Sequence, residues 1–295
     1  MGFPFVPRGP GWAFLGALAL VVSCGQIPRH KEKPATPRDE RVELLLARLE
    51  GERLELAAAS DPFTGWPSAT DCDGLLWAGL AAAAGQSVDL ELAEYSPGEM
   101  HRRPRPPCWD GEDKGSKSTI SRDMLTGYLY ATWRRKDGHA AQRLAEYGER
   151  HDWVMGGGDR SRTDMRANLK GLLGRMLAAL TSDRPEYRFL PALYVPGGAD
   201  YERHIAVLGV LLQGEVAGGI QHDMFLTLKG NAEDNPQDAL FQAAYGVYTG
   251  DMGPALDLLL NPAYAPPKYV RGAEEVYKLV HFVFAADTVV RRFQI

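Results

Sequence analysis

Apolar residues recur with helical spacing along most of the chain. Between residues 42 and 56, leucines alternate with arginine and glutamate so that the charges fall on one face, as in an amphipathic helix. The segment 74–85, GLLWAGLAAAAG, is apolar on almost every side, which is typical of a buried helix. Similar patterns predict helices over 119–135, 138–151, 163–181, 200–217, 221–233, 236–249 and 273–292. The first of these is predicted to be capped by Ser118 or Thr119. The best strand signal, 187–195, is interrupted by Pro191, so the sequence predicts an all-α fold.

The helices fall into two types that suggest layers. The apolar stretches 74–85 and 204–212 alternate with more amphipathic ones such as 138–151. An inner layer buried on both sides and an outer amphipathic layer would give this alternation. We therefore expect an α/α toroid-like double layer, with an irregular helical bundle as the alternative. Residues 40–295 are predicted to form one helical domain, preceded by a polar, proline-containing flexible tether over 24–39.

The N-terminal segment carries an export signal. Ten apolar residues, 13–22, end in the string VVSC at Cys24. This resembles the lipobox of bacterial lipoproteins, and the apolar run is too short to span a bilayer. The resemblance implies a signal peptide over 1–23, acylation of Cys24 and a lipid bilayer as partner in the bacterial cell envelope, and Gly25 favours the outer membrane. The alternatives are an ordinary secretory signal, or a cytosolic protein whose start codon was set too far upstream.

Cysteine usage agrees with export. Once Cys24 carries lipid, Cys72 and Cys108 remain, an even number in an oxidising compartment. We expect them to form a disulfide that orders the long proline-rich excursion over 87–117; two buried free thiols are the alternative.

Composition excludes several classes of function. The net charge is −5 with both signs interspersed, so no basic surface for nucleic acid is expected. The string GSKS at 115–118 lacks the glycine before lysine and the leading strand of a phosphate loop, which argues against a nucleotide. The chain has no CxxC, HExxH or GxSxG motif, and we expect neither a metal nor a cofactor.

One helix carries a polar stripe. Asp123, Thr126 and Tyr130 stand three and seven residues apart, which places them on one side of a helix. The string SRDMLTG around them resembles the inner helices of α/α-toroid carbohydrate-active enzymes, where such residues line a central cleft. The resemblance implies that Arg122, Thr126 and Tyr130 contact the substrate. Alternatively, Arg122 and Asp123 only stabilise the first helical turn.

That enzyme class implies a catalytic pair of carboxyl groups, one as acid and one as base or nucleophile. We expect Asp123 to act with Asp71, Asp73 or Asp110; Glu215 is a further candidate. The predicted disulfide would bring Asp71 and Asp73 towards Asp110 at one edge of the domain. This edge is either a site of acid catalysis or a hydrated acidic surface.

Aromatic and histidine side chains complete the expected site. Trp66 and Trp109 lie in loops beside proline and glycine, where they could stack on apolar sugar faces. His204 follows an acidic segment and could act as a base or proton shuttle near neutral pH. The alternatives are core tryptophans and a structural histidine.

Together these patterns predict an envelope-anchored lipoprotein with a glycosidase-like or lyase-like domain acting on a polysaccharide. The alternative is a non-catalytic periplasmic binding or scaffold lipoprotein. An enzyme should place two carboxylates about 5 to 10 Å apart across one solvent-filled cleft, whereas a scaffold should have a dry centre.

Overall fold

Helices form most of the structure. The computed structural model describes residues 27–28, 40–106, 108–109, 118–164, 170–181, 200–267, 270 and 274–294. The helices are α1 (Glu40–Ala58), α2 (Gly74–Ala83), α3 (Arg122–Arg135), α4 (Gly138–Arg150), α5 (Arg160–Thr163), α6 (Lys170–Leu180), α7 (Asp200–Ala217), α8 (His222–Asp234), α9 (Ala239–Thr249), α10 (Gly253–Leu260) and α11 (Glu275–Gln294). The predicted all-α fold class is confirmed.

Strands are short within the described residues. β2 (Glu94–Ser96) and β3 (Glu99–Met100) form a hairpin after the 3-10 turn Glu91–Ala93. β1 (Ile27–Pro28), inside the predicted tether, pairs antiparallel with β4 (Gly219–Ile220). The predicted signal peptide, Cys24, Gly25 and the segment 187–195 lie outside the described residues. Among the residues that the structure does describe, no helix has the length and apolar character needed to cross a membrane.

Helices α2 and α3 run parallel at the centre of the core. Every residue of α2 is buried, as its apolar sequence predicts. At the C-terminal ends of the pair, the Arg135 guanidinium donates to the carbonyl oxygens of Val88 and Gln86, which follow α2. At the opposite ends, Arg102 joins the residues that precede the two helices.

The remaining helices pack around this pair in one continuous hydrophobic core. The C-terminal helix α11 contacts α1, α2, α9 and α10, and α7 contacts α3, α6 and α8. Val280, Val283 and Phe284 of α11 are fully buried. The two concentric rings of a toroid stay a prediction.

The start of α3 differs from the sequence-based expectation of a cap at Ser118 or Thr119. Ser121, in extended backbone, is the residue before the first helical turn. Ser118 instead accepts hydrogen bonds from Arg102, and Thr119 Oγ1 accepts one from the Gly157 amide. These long-range contacts hold 118–119 outside the helix, so the predicted cap was wrong by two to three residues.

Candidate functional site

The predicted cysteine pair is confirmed. Cys72 and Cys108 lie at disulfide distance, with their Cα atoms 5.2 Å apart and a separation of 36 positions in sequence. The bridge joins the segment before α2 to the segment after β3. It therefore holds Trp109 beside the start of α2.

Arg102, next to this bridge, is buried and connects the beginnings of α2 and α3. Its Nε donates to the carbonyl oxygen of Ser118 (2.8 Å) and its Nη2 to the Ser118 hydroxyl (3.0 Å). Its Nη1 donates to the carbonyl oxygen of Cys72 (3.3 Å). The two helices consequently begin side by side. We call residues 71–73, 95, 101–103, 108–109 and 118–123 the N-terminal rim.

The rim brings together three of the four predicted catalytic carboxylates. Asp71 Oδ1 accepts hydrogen bonds from the Tyr277 hydroxyl (2.6 Å) and the Asp73 amide (3.1 Å). Asp73 Oδ1 lies 3.9 Å from Arg102 Nη1. The half-buried Asp123 accepts a hydrogen bond from the Ser121 hydroxyl at the start of α3. Asp110 lies outside the described residues.

Tyr277 contributes a fixed hydrogen-bond donor beneath the rim. Burial, together with the negative charge of Asp71, raises the pKa of Tyr277 well above its usual range. The phenol therefore stays protonated at physiological pH. Asp71 is thus tied to α11.

An aromatic cluster of Tyr95, His101 and Trp109 lies at the same rim. His101 stacks on Tyr95 with ring centroids 5.2 Å apart and contacts Trp109 at 4.4 Å. His101 Nδ1 lies 2.6 Å from the carbonyl oxygen of Trp109. Because a carbonyl can only accept, Nδ1 carries the proton and fixes the ring orientation. Tyr95 is 64% exposed, whereas His101 is buried beneath it.

The sequence analysis found only Trp109 of this cluster. Tyr95 lies in β2 and His101 directly follows β3, in the string AEYSPGEMH, within an excursion considered mainly for its prolines. An aromatic residue on each side of a Pro-Gly turn was the available signal. The stacking itself depends on the hairpin register, which the sequence did not specify.

The polar stripe on α3 leads into the core. Thr126, nearly buried, donates its hydroxyl to the carbonyl oxygen of Arg122, whose side chain is exposed. Tyr130 is fully buried and donates to Glu215 Oε1 (3.0 Å). Glu215 also binds Arg134 through both carboxylate oxygens, and Arg134 contacts Asp287 at 3.2 Å. Glu215 and Tyr130 thus belong to a buried ionic network that joins α3, α7 and α11.

Two other predicted ligand-binding residues are also in the core. Trp66 is 4% exposed and donates its indole N–H to the carbonyl oxygen of Asp89 (2.6 Å). His204 is fully buried against Trp77, with ring centroids 5.6 Å apart. Burial, assisted by His281, lowers the pKa of His204 to about 3, so the ring is neutral near pH 7. The predicted contacts of Trp66, Tyr130 and His204 with a substrate stay predictions. The burial of these three side chains does not favour such contacts.

A separate cleft lies at the opposite end of the α2–α3 pair, with a volume of about 220 Å³. We call it the C-terminal cleft. Its walls are Val88, Asp89, Leu90, Glu91, Tyr128, Thr132, Arg135, Asp137, Ala140 and Arg143. None of the site residues predicted from sequence lines it.

The described part of the chain contains no group of three or more His, Cys, Asp or Glu residues arranged to hold a metal ion. The chain has no significant match to a protein-family model, to a curated protein or to a solved structure.

Proposed function

We propose that this protein is a lipid-anchored protein of the bacterial cell envelope whose helical domain binds a polysaccharide at the N-terminal rim. The VVSC string and Cys24 support acylation and a bilayer as partner. Gly25 favours the outer membrane over the inner one. The main observation that supports polysaccharide binding is the cluster of Tyr95, His101 and Trp109.

The cluster has the chemistry that saccharides need. The apolar face of a sugar ring packs on an aromatic face much as aromatic rings pack on one another. Tyr95 presents a large exposed ring, and His101 supports it from below at 5.2 Å. The exposed Arg122 and the partly exposed Asp73 lie at the same rim and can hydrogen-bond sugar hydroxyls.

The cluster is also held in place before a ligand arrives. The bridge at Cys108 and the contact from His101 Nδ1 to the Trp109 carbonyl oxygen fix the chain on either side of the indole. Binding to a preorganised surface loses less conformational entropy than binding to a flexible one. This favours recognition of an extended polymer that offers few strong contacts per sugar.

A catalytic role is the second candidate function. It is favoured by the position of Asp71, Asp73 and Asp123, which share one rim with Arg102. Since Asp71 is held by Tyr277, Asp73 and Asp123 are the pair proposed to act on a glycosidic bond.

Co-sedimentation of the full-length, detergent-solubilised protein with peptidoglycan sacculi, chitin and cellulose tests the binding proposal. We expect one of these polymers to retain the wild type and to retain the Tyr95→Ala variant much less. Phe63→Ala is the matched control, because Phe63 is 95% exposed outside the cluster. Failure of all three polymers to retain the wild type, or equal retention of Tyr95→Ala, would contradict the proposal.

The catalytic candidate has its own test. Release of reducing ends or unsaturated sugars from the retained polymer should occur with the wild type and be lost with Asp123→Asn. If the wild type binds the polymer but releases no reducing ends or unsaturated sugars, the catalytic proposal is rejected and the protein is a non-catalytic binding protein.

The anchor is tested by mass spectrometry of the protein purified from bacterial membranes. We expect a mature chain that begins at an acylated Cys24, and a Cys24→Ala variant that is not acylated. An intact N-terminus, or cleavage without lipid, would contradict the lipoprotein proposal.

A further inference from the structure

The C-terminal cleft is built from two parts of the chain that lie far apart in sequence. Residues 88–91, which follow α2, form one wall, and the end of α3 with the beginning of α4 forms the other. The volume of about 220 Å³ is smaller than pockets for drug-sized ligands, which measure about 300 to 1,000 Å³. The cleft is therefore suited to a small molecule.

Tyr128 provides a buried polar group in this cleft. The residue is 3% exposed and lines the cleft. Burial, together with the nearby Glu94 carboxylate, raises the pKa of Tyr128 above its usual range, so the hydroxyl remains protonated. A phenol hydroxyl in the wall of a cleft can donate a hydrogen bond to water or to a ligand.

The charges of the cleft divide into two sets. Arg143 donates to both carboxylate oxygens of Glu94 (2.9 and 3.0 Å) and to Glu91 (3.1 Å). In this first set the arginine is therefore paired with two glutamates, and the set lies on one side of the cleft.

The second set, Arg135, Asp89 and Asp137, retains hydrogen-bonding groups that can bind a ligand. Arg135 uses two of its five N–H groups on the carbonyl oxygens of Val88 (2.8 Å) and Gln86 (3.1 Å), which leaves three donors. Asp89 accepts the Glu91 amide and Asp137 accepts the Ala140 amide, each through Oδ1.

We propose that the C-terminal cleft binds a small free α-amino acid with an apolar side chain. The ligand ammonium group binds Asp89 and Asp137, and its carboxylate binds Arg135 and the Tyr128 hydroxyl. The ligand side chain packs against the apolar members of the lining, Val88, Leu90 and Ala140. This inference is independent of the polysaccharide proposed for the opposite end of the helix pair.

Titration calorimetry of the full-length protein with glycine, L-alanine, D-alanine and L-valine tests the ligand class. At least one should bind saturably with a Kd below about 1 mM. N-acetyl-L-alanine lacks the ammonium group and L-alaninamide lacks the carboxylate, so each should bind at least about tenfold more weakly. Absence of binding by all four amino acids, or equal binding of the two blocked compounds, would overturn the proposal.

Three conservative variants locate the site. Tyr128→Phe removes one hydroxyl and should weaken binding about fivefold. Asp137→Asn keeps the side-chain cap of α4 but removes a charge, and Arg135→Gln removes the guanidinium; each should weaken binding at least about tenfold. Tyr245→Phe on α9 is the control and should bind like the wild type. Wild-type affinity in all three cleft variants would place the ligand elsewhere and reject the site.

Discussion

A Cβ atom added to Gly79 of α2 would lie 2.2 Å from the carbonyl carbon of Gly127 in α3. The same holds in reverse, because a Cβ on Gly127 would lie 2.4 Å from the carbonyl oxygen of Leu76. The two backbones are thus in contact at the middle of the helix pair. This contact sets the distance between the helices whose ends carry both proposed sites.

We predict that Gly79→Ala lowers the free energy of unfolding by about 3 kcal/mol, since the new methyl group would force the two backbones apart. Urea unfolding monitored by circular dichroism measures this change. Gly51→Ala is the control, because a Cβ at Gly51 in α1 meets nothing within 4 Å. That substitution should stabilise the protein by up to about 1 kcal/mol. Equal effects of the two substitutions would show that the close approach is not present.

Arg102 offers a second test, at the N-terminal rim. Its replacement by alanine removes the hydrogen bonds that Arg102 donates to the carbonyl oxygen of Cys72 and to both oxygen atoms of Ser118. We expect Arg102→Ala to lower the free energy of unfolding by about 3 kcal/mol. Arg122→Ala, at an exposed arginine of the same rim, should change it by less than about 0.5 kcal/mol. A destabilisation by Arg102→Ala as small as that of Arg122→Ala would contradict the assigned contacts.

The buried His204 predicts a pH dependence of stability. Its folded-state pKa of about 3 lies below the ordinary value of 6.5, so below pH 6.5 the unfolded chain binds the proton more readily. The stability that neutral His204 provides is complete above pH 6.5 and is lost progressively between pH 6.5 and 3. The slope should approach about 1.4 kcal/mol per pH unit.

Unfolding by urea at several values between pH 4 and 7 measures this slope. A His204→Leu variant should lack this component, whereas His139→Gln, at an exposed histidine on α4, should retain it. An identical pH dependence in the wild type and His204→Leu would show that His204 is not the responsible group.

Local pattern was sufficient to predict much of the fold. The wholly apolar 74–85 segment predicted the burial of α2, and the predicted bounds 200–217 agree with those of α7. Helix α10 was missed; its eight residues, GPALDLLL, are too few for the helical period to stand out. The pairing of Cys72 with Cys108 was predicted by counting the cysteines of a chain expected to be exported.

The site was less predictable because it depends on long-range contacts. The sequence placed the polar stripe on helix α3, but it did not show that Tyr130 donates a hydrogen bond to Glu215 in the core, because the two residues are 85 positions apart. The C-terminal cleft requires residues 88–91 to lie against the end of α3, which no local pattern encodes. Trp66 was predicted to stack on a sugar because of its loop position, whereas it is 4% exposed and its indole N–H donates to the carbonyl oxygen of Asp89.

The most direct test of the proposed function is the affinity of the double variant Tyr95→Ala/Trp109→Ala for the polysaccharide that retains the wild type. We predict at least about a tenfold increase in Kd by titration calorimetry, with Phe63→Ala within about twofold of the wild type. An unchanged Kd in the double variant would contradict the assignment of the rim cluster as the saccharide-binding surface.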